Sequence, residues 1–287
     1  MRSLISLGAN LGNVLETMRS AGRLLEEEFA DGQLTFSHLY RTPPIGGPTG
    51  QSDFLNAVVA LDSQKSCWEI WESIKRVESE LGRQRQHRWE ARRIDIDLLL
   101  NHSEKVWTPH LKVPHPRMCM RSFVLIPASE IASDLIDPVT GWTISQLRNH
   151  LLVQPPLDLL VVCNTGSLKS RIEEALHVPA TTHSFRAAVE HCPHPNELSN
   201  LSKMSSAKLL IMCVETPDPE TIQWEDFSAP WAKAMGLTPA PGLTSLVGPR
   251  YLLPGNDLSW ALHEFSAAAH AQTCPILSTE HTVLVSS

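Results

Sequence analysis

The sequence lacks several features that would assign it to a class at once. No apolar run approaches the roughly 20 residues of a membrane span, and residues 1–8 are too short and too soon polar for a signal peptide. The net charge of -7 argues against bulk nucleic-acid binding, which needs a basic surface. The six cysteines include no Cys-x-x-Cys pair, so buried reduced thiols are favoured over disulfides or a zinc site. We therefore predict a cytoplasmic protein with neither a membrane nor a nucleic-acid partner.

The length and composition predict more than one folded unit. A chain of 287 residues with 42% hydrophobic content is large enough for two globular cores. The stretch Gln154-Pro155-Pro156 lies where the sequence motifs of the first half end. We predict one domain over residues 1–155 and a second over residues 156–287, and we expect the first to fold and work without the second.

The most informative stretch runs from residue 82 to residue 100, where arginines precede two aspartates. In an extended strand, Asp95 and Asp97 share one face while Ile96 points into the core. Two such carboxylates can hold Mg²⁺ whose remaining ligands are waters and substrate phosphates. Guanidinium groups are suited to binding those phosphates, and five of them lie close by in the sequence: Arg83, Arg85, Arg88, Arg92 and Arg93. The alternative is a solvated basic loop whose arginines simply pair with the aspartates.

Hydrophobic periodicity predicts the order of elements in the first half. Strands are expected at residues 4–7, 35–41, 54–61 and 121–127, besides the strand that carries the two aspartates. Helices are expected at residues 14–29, after the cap residue Ser66, and at residues 143–151. This order predicts an α+β fold with a mainly antiparallel sheet, of the ferredoxin-like split βαβ kind.

Several ordered motifs of the first half resemble one enzyme family, the 6-hydroxymethyl-7,8-dihydropterin pyrophosphokinases. The resemblance covers about residues 1 to 155 and rests on many motifs in one order. They are Leu7-Gly8-Ala9-Asn10-Leu11-Gly12, Tyr40-Arg41-Thr42-Pro43-Pro44-Ile45-Gly46, Gln51, Phe54-Leu55-Asn56-Ala57, Glu78, Arg88-Trp89, Arg92, Asp95-Ile96-Asp97, Val113-Pro114-His115-Pro116 and Arg121-Ser122-Phe123.

The resemblance implies a reaction and a role for each matching residue. Enzymes of this family transfer diphosphate from ATP to the hydroxymethyl group of the pterin in folate biosynthesis, and AMP is the second product. It implies that Asp95 and Asp97 hold two Mg²⁺ ions and that Arg83 and Arg92 steady the charge of the transferred group. The residues implied on the ATP side are Glu78, Arg85, Arg88, Trp89, His115 and Arg121. Those implied on the pterin side are Thr42, Pro43, Pro44, Ile45, Phe54, Asn56 and Phe123, with the pterin ring stacked between Phe54 and Phe123.

The sequence departs from the family pattern at one place. The family usually has Trp-Gly-Pro-Arg where this chain has Trp89-Glu90-Ala91-Arg92, which adds a negative charge near the phosphates. This departure leaves open an alternative, a catalytically weak or inactive regulator that binds pterin or nucleotide. A third hypothesis is an interaction protein that acts through its second half.

The second half resembles no family and carries no readable function. Apolar runs at residues 159–163 and 209–214 are typical of buried parallel strands. Helical patterns follow at residues 168–176 and 258–271, and a last strand is expected near Val283. A phosphate-binding glycine-rich loop, a dinucleotide fingerprint and a nucleophile elbow are all missing from the sequence. We predict a small α/β domain of unknown function, with a possible partner protein.

Overall fold

The computed structural model describes residues 1–46, 48, 50–82, 93–177, 185–200, 207–217, 224–239, 246, 248–281 and 284. The strands, numbered along the chain, are β1 (Arg2–Ala9), β2 (Gln33–Phe36), β3 (Leu39–Thr42), β4 (Phe54–Asp62), β5 (Asp95–Asn101), β6 (Val106–Trp107), β7 (Lys112–Val113), β8 (Leu157–Cys163), β9 (Ala187–His191), β10 (Ala207–Val214), β11 (Arg250–Pro254) and β12 (Ser278–Glu280). The α-helices are α1 (Val14–Glu28), α2 (Cys67–Glu80), α3 (Ser122–Ile131), α4 (Ile144–Leu152), α5 (Gly166–Leu176), α6 (Trp224–Ala234) and α7 (Leu258–Gln272). Short 3₁₀ helices cover Met118–Met120 and Pro195–Asn200.

The first sheet is antiparallel and has the order β12-β3-β4-β1-β5, with β2 also paired to β4. The mixed α and β content and the antiparallel sheet predicted for the first half are therefore confirmed. Helices α1 and α2 cover one face of this sheet through a core that contains Met18, Leu25, Ile70 and Ile74. Ser66 caps helix α2, as predicted, and its hydroxyl and backbone form a reciprocal capping box with Glu69.

One predicted strand is wrong, because residues 122–131 form helix α3 rather than a strand over residues 121–127. A short apolar run cannot be assigned by periodicity alone, and tertiary packing decides between helix and strand. In the structure Val124, Leu125 and Ala128 are buried and share one helical face against the first sheet. Pro127 lies inside the helix, so its missing N–H did not prevent helix formation.

One further strand prediction needs correction, and another falls outside the described residues. The strand expected at residues 35–41 is broken into β2 and β3 at Ser37, whose backbone N–H and hydroxyl both bond to the backbone of Val58. The last strand of the described chain is β12 at Ser278–Glu280, whereas Val283 lies outside the described residues.

The second sheet is parallel and has the order β11-β10-β8-β9. Alternate residues of its strands face opposite sides, so Val161 and Ile211 point towards α5 and α7 while Val162 and Met212 point towards α6. Both faces are covered, as the continuous apolar runs of β8 and β10 predict.

The two halves pack against each other and share secondary structure. One cluster of buried apolar side chains runs from the first sheet through α3 and the 3₁₀ helix Met118–Met120 to β8, β10 and α7. In addition, β12 pairs with β3, so the end of the described chain forms the outer strand of the first sheet. The described chain includes no helix long and apolar enough to cross a membrane. All six cysteines are buried free thiols.

Candidate functional site

The two aspartates of the acidic strand lie on β5, at the edge of the first sheet beside β1. Asp95 pairs with Gly8 and Asp97 with Ser6 across the antiparallel ladder. Both aspartates are half-buried whereas Ile96 between them is buried, so the carboxylates share the outer face that alternation predicts. This arrangement presents two oxygen ligands side by side on a rigid strand.

Glu78 on α2 fixes the backbone of this strand between the two aspartates. Its carboxylate oxygen accepts a hydrogen bond from the N–H of Ile96 at 2.9 Å, on the edge of β5 that faces away from β1. Glu78 itself is buried. Glu78 therefore supports the backbone of the site, a role that was not predicted from the sequence.

His115 lies in the turn after β7 and faces the acidic strand. The Val113–Pro114 peptide is cis, and the N–H of His115 donates to Leu99 of β5 at 2.7 Å. Its Nε2 lies 3.8 Å from Asp97 Oδ2, while its Nδ1 accepts from the backbone N–H of Arg117 at 3.2 Å. An Nδ1 that accepts leaves the proton of the neutral ring on Nε2, on the side of Asp97.

The electrostatics of this cluster keep His115 neutral. Burial, followed by the guanidinium groups of Arg121 and Arg117, holds the pKa of His115 well below its ordinary value of 6.5. Burial and the charge of Arg117 also lower the pKa of Arg121, while Asp97 and Asp95 raise it. Two cations and two carboxylates thus act on each other in one partly buried cluster.

The predicted pterin-side residues come together next to the acidic strand. The side-chain amide of Asn56 on β4 donates to Thr42 Oγ1 on β3 at 2.9 Å, and both residues are buried. Gly8 lies between this pair and the acidic strand, since it pairs with Asn56 on one side and Asp95 on the other. A Cβ added at Gly8 would lie 3.2 Å from Asn56 Oδ1 and 3.9 Å from Phe54. The site needs a glycine there for close approach, which the sequence analysis missed.

The two predicted stacking aromatics are half-buried on neighbouring elements. Phe54 opens β4, and Phe123 lies in the first turn of α3, which packs on β4. The guanidinium carbon of Arg121 lies 5.6 Å from the centre of the Phe123 ring. Phe123 therefore lies beside the cation predicted on the ATP side.

The segment after β3 begins at the site residue Thr42 and is held near its end by a hydrogen bond to Asn10. Pro43, Pro44 and Ile45 are half-buried and follow Thr42 directly. Gln51, near the end of this segment, accepts a hydrogen bond from the side-chain amide of Asn10 at 3.2 Å.

Five predicted site residues cannot be placed. Residues 83–92 lie outside the described residues, and they include Arg83, Arg85, Arg88, Trp89 and Arg92. Their predicted roles stay predictions.

The chemistry of the placed residues fits a divalent cation shared with a phosphate ligand. Asp95 and Asp97 supply hard oxygen ligands, and His115 and Arg121 flank them with donors for phosphate oxygens. Among the described residues, no group of three or more His, Cys, Asp or Glu side chains is arranged to hold a metal ion alone. This donor set suits a cation whose remaining ligands come from substrate and water.

Residues of the second half also lie next to the site, which no motif predicted. Arg117 forms an ion pair with Glu264 of α7 at 2.6 Å. The hydroxyl of Ser122 donates to the backbone oxygen of Cys274 at 2.9 Å, and Leu277 N–H donates to Arg41 of β3 at 2.8 Å. These contacts were not predictable because the chain before residue 156 carries no signal of what packs on it.

Comparison with known proteins places the first half in one family. The model of the 7,8-dihydro-6-hydroxymethylpterin-pyrophosphokinase (HPPK) family matches residues 4–133. The 2-amino-4-hydroxy-6-hydroxymethyldihydropteridine pyrophosphokinase of Haemophilus influenzae is 33% identical over 153 residues, which are 52% of this chain and 95% of that protein. The protein of the same name from Bacillus subtilis is 39% identical over 137 residues, which are 48% of this chain and 81% of that protein.

Solved structures add less to the comparison. The wild-type HPPK-DHPS of Plasmodium falciparum, with pterin and p-hydroxybenzoate, aligns with 82% of this chain at 14% identity and a TM-score of 0.40. The chain spans 60% of the length of that structure. A TM-score this low carries no argument about the second half.

Proposed function

The chain belongs to the 7,8-dihydro-6-hydroxymethylpterin-pyrophosphokinase family, and we propose on that premise how its residues perform the reaction. The family assignment makes it an ATP-dependent diphosphotransferase of folate biosynthesis. It transfers diphosphate from ATP to 6-hydroxymethyl-7,8-dihydropterin, and the products are AMP and the pterin diphosphate.

The observation that carries the proposal is the position of Gly8 on β1. This one residue pairs with Asn56 on one side and with Asp95 on the other, so the two proposed substrate regions are separated by a single strand. Neighbouring strands lie about 5 Å apart. A pterin held at Asn56 would therefore present its hydroxymethyl group close to phosphates held at the acidic strand, and such positioning is a large part of phosphoryl-type catalysis.

On the phosphate side, we propose that Asp95 and Asp97 are the ligands of two Mg²⁺ ions. When bound, these ions would neutralise phosphate charge and hold the chain of phosphates in one geometry. His115, kept neutral, would donate from Nε2, and Arg121 would contribute a full positive charge. We assign Arg83 and Arg92 to the transferred group, and Glu78, Arg85, Arg88 and Trp89 to the nucleotide.

On the pterin side, we propose that Asn56 reads the amide edge of the ring. The hydrogen bond to Thr42 orients the side-chain amide and so determines which of its groups faces the ligand. Phe54 and Phe123 would stack on the two faces of the ring, and Pro43, Pro44 and Ile45 would border it.

We also propose the finer description of the fold and location. The order β5-β1-β4-β3, with α1 after β1 and α2 after β4, supports a ferredoxin-like split βαβ domain over residues 1–155. The parallel sheet with helices on both faces supports a small α/β unit over residues 156–287. A cytoplasmic location and a partner protein for the second half stay predictions.

The test is AMP formation from ATP, Mg²⁺ and hydroxymethyldihydropterin by the wild type, Asp95→Asn and Asp97→Asn. Each substitution keeps the side-chain size but removes a charged ligand, so we expect turnover to fall by about 10²-fold or more. Pterin binding, measured by calorimetry without ATP, should stay close to that of the wild type.

Asp62→Asn is the matched control, because Asp62 also lies on a strand of this sheet and pairs with a single arginine, Arg2, at 2.7 Å. Its turnover should stay near that of the wild type. Near-normal turnover of Asp95→Asn and Asp97→Asn, with a lower melting temperature, would instead show that these aspartates only pair with arginines.

A further inference from the structure

Glu264 is a buried carboxylate whose partner lies in the other half of the chain. It is 1% exposed on α7, among apolar neighbours such as Ala261, Phe265 and Ala268. Its two oxygens contact the guanidinium of Arg117 at 2.6 Å and the hydroxyl of Tyr251 on β11 at 3.2 Å. A buried charge is costly unless it is paired and hydrogen-bonded, so this carboxylate ties α7 firmly to Arg117.

Tyr251 completes a closed three-residue network around Arg117. Its hydroxyl lies 3.3 Å from Arg117 Nε and donates to Glu264. Burial lowers the pKa of Arg117, but Tyr251 and Glu264 together raise it above its ordinary value. The guanidinium therefore stays charged in this network. The side chain of Arg117 is thus held by two residues that lie more than a hundred positions further along the chain.

Arg117 in turn fixes the residue that faces the acidic strand. Its backbone N–H donates to His115 Nδ1 at 3.2 Å, and His115 Nε2 lies 3.8 Å from Asp97 Oδ2. The charge of Arg117 also lies close enough to Arg121 to lower its pKa. A shift of the Arg117 backbone would reorient His115, and a shift of its guanidinium would change the charge next to Arg121.

We propose that Glu264 and Tyr251, in the half that the family model does not match, are positioning residues for the ATP side of the kinase site. They hold the side chain of Arg117 and, through its backbone N–H, the ring of His115. This inference rests on the proposed function, because it assumes that His115 and Arg121 bind ATP phosphates.

The competing explanation is that the network only holds the two halves together. A purely structural ion pair would change the melting temperature but leave the kinetics of the folded enzyme intact. Positioning residues would instead change the KM for ATP and kcat while the KM for the pterin, which binds on the far side of Gly8, stays near that of the wild type.

The experiment compares the full-length wild type with Glu264→Gln, Tyr251→Phe and Glu215→Gln. Glu215 is the matched control, because its side chain pairs with Arg171 at 2.7 Å and accepts from the Thr165 hydroxyl, both inside the second half. We measure melting temperature, kcat and KM for each substrate, and the Kd of Mg-ATP by calorimetry, at a temperature where every variant is folded.

We expect Glu264→Gln to lower kcat/KM for ATP by about tenfold or more, the size of effect typical of a residue that orients a ligand-binding side chain. Tyr251→Phe, which removes one hydroxyl, should act in the same direction but less strongly. Glu215→Gln should keep wild-type kinetics even if its melting temperature falls as much as that of Glu264→Gln. In an Arg117→Gln background, Glu264→Gln should have little further effect on kcat/KM for ATP, because its action passes through Arg117.

The possible failures are distinguishable. Wild-type kinetics of Glu264→Gln with a lowered melting temperature would overturn the inference and leave a structural ion pair. Equal kinetic losses in Glu264→Gln and Glu215→Gln would also overturn it. If the wild type itself forms no AMP, the proposed function fails. The inference is then tested by the Kd of Mg-ATP: a weaker Kd in Glu264→Gln than in Glu215→Gln supports it, and equal Kd values overturn it.

Discussion

Removal of the second half should destabilise the first, contrary to what its motifs alone predict. A chain of residues 1–155 loses α7, β11 and β12, and with them the cover of the 3₁₀ helix Met118–Met120, which packs on α7. Met118 is 1% exposed and Met120 is 2% exposed in the full chain. The truncated chain would present both side chains to water directly beside the His115 turn.

The magnitude follows from these contacts. Exposure of a fully buried methionine costs about 1.5–3 kcal/mol as an upper estimate. The hydrogen bonds from Ser122 to Cys274 and from Leu277 to Arg41 contribute about 0.5–1.5 kcal/mol each. The total is therefore roughly 4–9 kcal/mol, against a usual domain stability of about 5–15 kcal/mol. We expect a melting temperature at least about 10 °C lower, or no cooperative unfolding at all.

The assay is thermal and urea unfolding followed by circular dichroism, with AMP formation measured on the same samples. The linker at Gln154-Pro155-Pro156 is largely exposed, so a break there removes little packing by itself. Residues 156–287 supplied as a separate chain should therefore restore stability, which controls for the break. A truncated chain that melts within a few degrees of the full chain, at wild-type turnover, would refute the reasoning.

Three smaller changes test single contacts. Gly8→Ala should raise the KM for the pterin more than the KM for ATP, because the new Cβ would lie 3.2 Å from Asn56 Oδ1. The control is Gly166→Ala, whose new Cβ meets nothing within 4 Å. Equal changes of the pterin KM in the two variants would contradict this prediction. Glu78→Ala should cost about 1–3 kcal/mol of stability and lower turnover, because the N–H of Ile96 loses its acceptor. Glu78→Gln keeps an acceptor oxygen and should cost less stability. Equal losses of stability in the two variants would be evidence against the role of Glu78 as the acceptor for Ile96. Without metal and nucleotide, the wild type should lose stability as the pH falls below about 6.5, by at most about 1.4 kcal/mol per pH unit. The cause is that His115 binds a proton in the unfolded chain at a pH where the folded protein keeps it neutral. His115→Asn should flatten this dependence, and an unchanged slope in urea unfolding would disprove it.

The features predicted correctly from sequence are those that local chemistry determines. Ser66 with Glu69 and Thr143 with Gln146 form capping boxes, so α2 and α4 begin where their side chains can satisfy the first free N–H groups. Alternation placed Asp95 and Asp97 on one face because a strand has a side-chain period of two. Each of these signals spans only a few residues and needs no knowledge of distant partners.

The features that were missed depend on what packs from far along the chain. Helix α3 contains an apolar run that suits a strand as well as a helix, and only its burial against both the first sheet and α7 distinguishes the two. Glu264 in an alanine-rich helix carries no local sign of its partner Arg117. The role of Gly8 was missed because a close approach between β1 and Asn56 depends on strand register, which a single strand does not reveal.

The place where the family motifs end is not the place where the packing of the first sheet ends. The family motifs end before residue 155, but β12 closes the open edge of the first sheet from beyond residue 277. An uncovered edge strand invites pairing with other chains, and β12, which becomes the outer strand, is only three residues long, so it offers little edge for such pairing. Because β3 leads directly into Thr42 and Pro43, β12 contacts the strand that carries the proposed pterin side, while Glu264 contacts Arg117 next to the proposed ATP side. The second half thus contacts the kinase site at both ends, so its sequence must satisfy constraints that arise from the first half.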